Sequence, residues 1–230
     1  VFYGDYVGHN GWNVVKEDGL LIALPARVDQ RDCALFGVAG VALRGVRRMG
    51  VGEGDKVWVA GQGPIGNFLA QAALSTGAEV RVTDMLDTRL TAARACGIAA
   101  TLNAGDANTL AVLKEGGPYD YIFDCCSAER LLFDIHENGL LAHGGTVGMM
   151  AVRDKVVYPW GMLHGIEARI ETSCHFDCDD LKVLLGLYEH GRLKVEPMVS
   201  HLVSIDEAPG IYDMLANRAN DLLGVIFDWA

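Results

Sequence analysis

Residues 57–66 read Val57-Trp58-Val59-Ala60-Gly61-Gln62-Gly63-Pro64-Ile65-Gly66. A short run rich in β-branched and aromatic side chains stops at Gly61. A segment with helical spacing begins after Gly66. Strand, glycine-rich turn and helix in that order place backbone N–H groups and a helix N-terminus where an anion can sit. Gly61 permits the tight turn, Gly63 lets the backbone approach a pyrophosphate, and Gly66 lets helix and strand pack closely. Three glycines at this spacing are a weak signal by themselves, so the flanking sequence decides the reading.

Outward from that stretch the chain alternates strand and helix. Lys56 to Ala60 reads as a strand, and Ile65 to Thr76 as a helix stopped by Gly77. Glu79 to Thr83 alternates as a strand does, and Asp87 or Thr88 offers a cap for a helix that stops at Gly97. Ala99 to Asn103, Tyr119 to Cys125, Thr146 to Met150 and Ala168 to Cys174 read as further strands. Helices are expected over Asp106 to Lys114 and Ala128 to Asn138, with Gly144-Gly145 turning the chain into the fifth strand. This rhythm predicts an α/β fold, a doubly wound parallel sheet of six strands with helices on both faces. The flanks differ: residues 1–33 lack the rhythm. Residues 177–230 hold a helix (Asp179 to His190), a strand, a helix near Ala208 to Asn217, and a last strand, Leu223 to Trp229.

Two features outside the turn point to a dinucleotide. The second strand ends at Asp84, 23 residues after Gly61, where a carboxylate can accept hydrogen bonds from adenosine ribose hydroxyls. Thr146-Val147-Gly148 follows a double-glycine turn at the end of a fifth strand, on the same edge of the sheet. A methyl-donor nucleotide is the rival ligand, because methyltransferases share a glycine-rich first turn and an acid after the second strand. Pro64 directly after Gly63, and the long gap to the acid, fit a dinucleotide better.

Bulk composition narrows the classes. The chain has 230 residues, half of them hydrophobic, which argues for a packed core and against disorder. Its 28 glycines are about 12% of the chain, against a typical ~7%, as many tight turns between short elements require. A net charge of -11 repels nucleic acid unless basic residues cluster, and only Arg44, Arg47 and Arg48 lie together. Those three are expected on the solvated face of a helix. No apolar run reaches the ~18 residues of a membrane span, and no signal peptide is visible. The six cysteines sit mostly inside apolar patterns, as reduced core residues do, so a cytoplasmic location is expected.

Four stretches together resemble the medium-chain dehydrogenase/reductase superfamily, close to zinc-type alcohol, sorbitol and threonine dehydrogenases. They are LFGVAGVALRGVRRMGVGEGDKVWVAGQGPIG, VRVTDMLDTRL, GGTVGMM and VEPMVSHLVSIDEAPGIYDML. The resemblance runs over nearly the whole chain. It implies a dinucleotide-binding domain over residues 34–176, with residues 1–33 and 177–230 belonging to a β-rich, GroES-like catalytic domain. It also implies that most of that domain, about a hundred residues, lies upstream of Val1. NAD is the implied cofactor, held by Gly61, Gly63, Pro64, Ile65, Gly66, Asp84, Arg89, Cys126, Val147 and Gly148. The implied function is hydride transfer between nicotinamide and an alcohol or carbonyl substrate. A small-molecule substrate and a homo-oligomer are the expected partners, with no nucleic acid and no membrane. The alternative is a non-catalytic dinucleotide-binding module or redox sensor of dehydrogenase descent.

The resemblance also bears on metal. Many members place a third catalytic zinc ligand in the helix before the glycine turn. Here that stretch reads Ala34-Leu35-Phe36-Gly37-Val38-Ala39, and neither Phe36 nor Gly37 can bind zinc. Cys33 stands one helical turn earlier, and Asp32 beside it reads as a helix cap. No metal is therefore expected. Cys174-His175-Phe176-Asp177-Cys178 is the most metal-like cluster, but no second ligand pair lies near it and a strand end followed by a helix cap explains it. Cys125 and Cys126 read as small residues beside the cofactor. His9 and His201 are titratable candidates for a proton relay. Tyr3 and Tyr6 either line a substrate pocket or cover the sheet. No catalytic residue is identified.

Overall fold

The computed structural model describes residues 2–3, 12–217 and 222–229. In chain order, the elements begin with β1 (Phe2–Tyr3), β2 (Leu21–Ile22), α1 (Gln30–Cys33), α2 (Phe36–Met49), β3 (Lys56–Ala60) and α3 (Pro64–Ser75). They continue with β4 (Glu79–Asp84), α4 (Asp87–Ala95), β5 (Ala100–Asn103), α5 (Thr109–Gly116), β6 (Tyr119–Asp124) and α6 (Leu131–Glu137). Then come β7 (Leu141–Met149), α7 (Trp160–His164), β8 (Arg169–Thr172), α8 (Cys178–Glu189), β9 (His201–Ser204), α9 (Ala208–Ala216) and β10 (Val225–Asp228).

The six central strands form one sheet in the order β5-β4-β3-β6-β7-β8, and every pairing in it is parallel. From β3 the chain builds outward to β5 on one side, then returns to β6 and builds outward to β8 on the other. The reversal falls between β3 and β6, which makes the crevice beyond their carboxyl ends the switch point of the doubly wound fold. The expected fold class is therefore the observed one. β3 is buried along nearly its whole length, as a central parallel strand covered on both faces must be.

Two apolar clusters cover the two faces. One joins α2, α3, β3 and β4, with Phe36, Phe68, Leu69 and Val82 fully buried. It also takes in Leu181 and Leu184 of α8, so this helix packs on the sheet layer through α2. The other joins β6, β7, α6 and α7 around Ile122, Ile135, Val147 and Met162. Outside the sheet, β1 pairs antiparallel with β2, and β9 pairs parallel with β10.

Several local expectations are corrected. Gly144 and Gly145 do not turn the chain into a strand: β7 runs through them from Leu141, and the register against β6 shifts beside them. The positive φ of Gly144 (72°) absorbs that irregularity. Asp29, not Asp32, caps α1, through a hydrogen bond from the Arg31 N–H. No Asp87 or Thr88 side chain caps α4; Leu86 stands at the cap, and its N–H donates to Asp84 instead. Arg44 and Arg47 do not simply face solvent. Arg44 donates to Asp177 and, at 2.8 Å, to Asp180, while Arg47 donates to Asp180. Arg48 donates to the Thr172 carbonyl. Asp180 is almost fully buried under the two guanidinium groups and completes the capping box of α8 with Asp177.

Candidate cofactor-binding site

The site is built where strand ends meet helix starts. β3 ends at Ala60, and Gly61 turns the chain with φ +100°, a left-handed conformation that glycine adopts without strain. A β-carbon at Gly61 would come within 2.9–3.0 Å of the Cys125 backbone and the Cys126 side chain. One at Gly66 would lie 1.9 Å from the Gly61 carbonyl oxygen. These two glycines are fixed by packing. Gly63 is different: nothing lies within 4 Å of the position its β-carbon would take. The backbone there borders open space, as a turn that receives a phosphate must. Gly63 is also the N-cap of α3 and makes no side-chain cap, while Pro64 opens the helix. The remaining first-turn N–H groups have no side-chain partner, which leaves them for an anion.

Asp84 and the turn form one unit. The Asp84 carboxylate is nearly buried and accepts from the Gln62 N–H (2.7 Å) through Oδ2 and from the Leu86 N–H (2.9 Å) through Oδ1. Each oxygen keeps acceptor capacity for a hydroxyl group. Arg89 stands 3.6 Å from Oδ2, partly exposed, and its buried Nε has no partner. Gln62 is fully buried; its amide donates to the Gly61 carbonyl, and its Oε1 is unpartnered. An acid at the end of the second strand, an open glycine backbone and an uncapped helix start suit the ribose and pyrophosphate of a dinucleotide.

Across the switch point, Cys125 and Cys126 adjoin the glycine turn. The Cys125 N–H donates to the Ala60 carbonyl, and Cys126 is exposed beside Gly61. Burial pushes both thiols above their ordinary range, with the Asp124 charge adding to it. Val147 and Gly148 lie within β7, paired in register with Ile122 and Phe123 on one side and with Ile170 and Glu171 on the other. The Val147 side chain is fully buried, and a β-carbon at Gly148 would meet Phe123 at 2.5 Å and Met49 at 2.8 Å. The carboxyl edge of β7 itself is formed by Met149, Met150 and Ala151; the last two donate to the Asp124 carbonyl.

Two residues at this edge escaped the sequence reading. Asp124 is fully buried at the end of β6 and accepts from the N–H groups of Cys126 (3.2 Å) and Ser127 (2.9 Å). Arg153 donates to its other oxygen at 2.5 Å. The Phe-Asp-Cys-Cys stretch was the available signal, but nothing in it indicated a partner 29 residues away.

The residues weighed as zinc ligands have other surroundings. Phe36 is fully buried and its ring meets those of Phe2 and Tyr188; Gly37 faces open space. Burial raises the Cys33 thiol to about 11, and Asp32 accepts the Tyr188 hydroxyl at 2.7 Å. No group of three or more His, Cys, Asp or Glu among the described residues is arranged to hold a metal ion. Cys178 opens α8 and its thiol reaches the Gly19 carbonyl, while the His175 ring accepts from the Phe176 N–H. His201 lies on β9 beside Ser200, far in sequence from the crevice. His9, Tyr6 and the side chain of Tyr3 lie outside the described residues.

Comparison with known proteins agrees with the fold. Residues 64–189, more than half of the chain, match the family model described as zinc-binding dehydrogenase. Sorbitol dehydrogenase 1 of Saccharomyces cerevisiae is 24% identical over 86% of this chain and 58% of its own length. A probable D-xylulose reductase A of Arthroderma otae is 29% identical over 87% of this chain and 58% of its own. The chain thus spans a little over half the length of these curated relatives. Among solved structures, an Escherichia coli alcohol dehydrogenase complexed with NADH superposes with a TM-score of 0.79 at 18% identity, over 90% of this chain and 61% of that one. An alcohol dehydrogenase from Thermus superposes with a TM-score of 0.77 at 22% identity, over 90% and 61%. The chain belongs to the zinc-binding dehydrogenase family, within the medium-chain dehydrogenase superfamily.

Proposed function

We propose that this chain binds NAD in the crevice between β3 and β6 and serves a dehydrogenase that interconverts an alcohol, of the polyol class, and its carbonyl. One observation carries the reading: the Asp84 carboxylate is hydrogen-bonded to the glycine turn itself, through Gln62, at the switch point of the sheet. Asp84 would accept the adenosine ribose hydroxyls. The N–H groups at the start of α3 would take the pyrophosphate over Gly63, Pro64 and Ile65, with Gly61 and Gly66 holding the turn closed. Arg89 would pair with the acid, and Cys126 with the edge of β7 at Met149, Met150 and Ala151 would border the nicotinamide half. Val147 and Gly148, expected there from the sequence, lie inside the strand, packed against β6 and β8. A 2′-phosphate would meet the Asp84 charge first, and Arg89 is already committed to that acid; NAD is therefore the better fit. The bound cofactor supplies the hydride acceptor, and this chain orients it and keeps water from one side. The polyol class rests on the relatives named for sorbitol and D-xylulose.

The reaction is assigned without zinc in this chain, because the helix position that would supply a ligand is occupied by Phe36 and Gly37. That same observation supports the second reading, a dinucleotide-binding module without turnover. We further assign residues 34–176 to cofactor binding, and a homo-oligomer to the edge of the sheet. Among the described residues, β8 pairs on one side only. An antiparallel copy of it centred on Ile170 would set Arg169 opposite Glu171, a charge-complementary cross-strand pair. Reduction of NAD followed by absorbance with sorbitol and xylitol separates the readings. Turnover supports the dehydrogenase. Saturable NADH binding with no turnover on any alcohol supports the module.

A further inference from the structure

Arg153 sits in a segment that otherwise faces solvent. Val152 and residues 154–158 are exposed, and Val152, Val157 and Trp160 present large apolar surface. Between Val152 and Tyr158, the side chain that reaches back to the sheet is Arg153, whose guanidinium is largely buried against Asp124. Asp124 in turn holds the Cys126 and Ser127 N–H groups, and this fixes a turn in which Ser127 adopts φ +61°. That turn is the surface on which Gly61 packs. One fully buried carboxylate therefore ties together the glycine turn's neighbour, the end of β6 and the segment after β7.

A buried ion pair is an expensive way to gain stability, since desolvation offsets most of the attraction. Its geometric effect is specific: together with the Met150 and Ala151 N–H bonds to the Asp124 carbonyl, it ties the start of the segment after β7 to the carboxyl end of β6. In the doubly wound fold the two halves of the sheet serve the two halves of a dinucleotide. Asp84 lies on the adenosine side, and Asp124 with Arg153 lies on the other.

We propose that Asp124 and Arg153 are positioning residues for the nicotinamide half of the cofactor, acting through the Cys126–Ser127 turn and the segment after β7. The proposal rests on the dinucleotide reading of the site. Calorimetric titration of the chain with NADH and with ADP, which carries the adenosine and diphosphate but no nicotinamide, tests it. Arg153→Met should lower NADH affinity about tenfold while ADP affinity stays within about twofold. Arg153→Lys, which keeps the charge, should recover most of the loss. Should Arg153→Met not fold, Asp124→Asn combined with Arg153→Met leaves no buried charge without its counter-ion and is expected to show the same split. An equal fall for NADH and ADP, or no fall for either, would overturn the positioning role while leaving the dinucleotide site standing. Absence of binding of both ligands to the unaltered chain would overturn the site and this proposal together.

Discussion

A methyl group added at Gly63 meets open space, whereas one added at Gly66 meets the Gly61 carbonyl at 1.9 Å. The two variants should part accordingly. Gly66→Ala should destabilise the fold by about 1–3 kcal/mol, the usual cost of forcing an atom into a packed site, as read in a denaturant melt. Gly63→Ala should melt like the unaltered chain yet lose about tenfold or more in NADH affinity, because the methyl group occupies the approach of the pyrophosphate. Unchanged affinity in that variant would remove Gly63 from the site. Cys126 offers a separate readout. Its thiol and that of Cys174 are exposed, while Cys33 and Cys96 are buried and raised to about 11. Alkylation at pH 8 followed by mass mapping should label Cys174 first and Cys126 more slowly, because desolvation and the Asp124 charge raise the Cys126 thiol, and NADH should slow labelling at Cys126 alone. Equal protection of Cys174 would mean that the effect is not local. At this scale the sequence was most legible where residues adjoin a motif, as Gly61, Gly63, Gly66 and Asp84 do. Asp124 and Arg153 were illegible, because the contact that gives each its role crosses a loop.

Elements show the same division. The strand and helix order could be read because most central strands are short runs rich in apolar and β-branched residues, with glycines such as Gly61, Gly77 and Gly97 ending β3 and the helices α3 and α4. The start of β7, five residues before the expected Thr146, was hidden by the glycines inside it. The α2–α8 contact could not be read. Asp180 and its arginine partners are more than 130 residues apart, and a basic triplet on a helix ordinarily means a solvated face. Asp180→Ala should cost about 2–3 kcal/mol, below the range for a fully buried pair, because Arg44 and Arg47 keep access to water. Denaturant melts of the variant test this, and a change under half a kcal/mol would show the clamp to be incidental. The Asp180 N–H bond first, and Arg44 beside it, hold the Asp177 carboxyl below its usual value of 3.8. Its contribution is thus present above that value and is lost as pH falls through the lower folded one. The α8 cap should loosen only under acid conditions.

At the scale of the whole molecule, the C-terminal elements carry one of several exposed apolar groups. Leu202, Tyr212, Leu215 and Trp229 are each about half exposed on or beside β9, α9 and β10. A face of that kind drives association. Light scattering of the 230-residue chain should show species larger than a monomer, and a clean monomer without dye-binding surface would contradict it. The crevice, rather than this face, is where Asp84 and the glycine turn would recognise NAD. Fluorescence titration of the unaltered chain and of Asp84→Ala with NADH and NADPH tests it most directly. The account predicts saturable NADH binding stronger than NADPH binding. In Asp84→Ala, NADH affinity should fall ten- to a hundredfold, from charge-assisted hydrogen bonds worth ~1.5–3 kcal/mol, with a smaller gap between the two cofactors. Equal affinity of the unaltered chain for NADH and NADPH, or an Asp84→Ala variant that binds NADH as well as its parent, would contradict it.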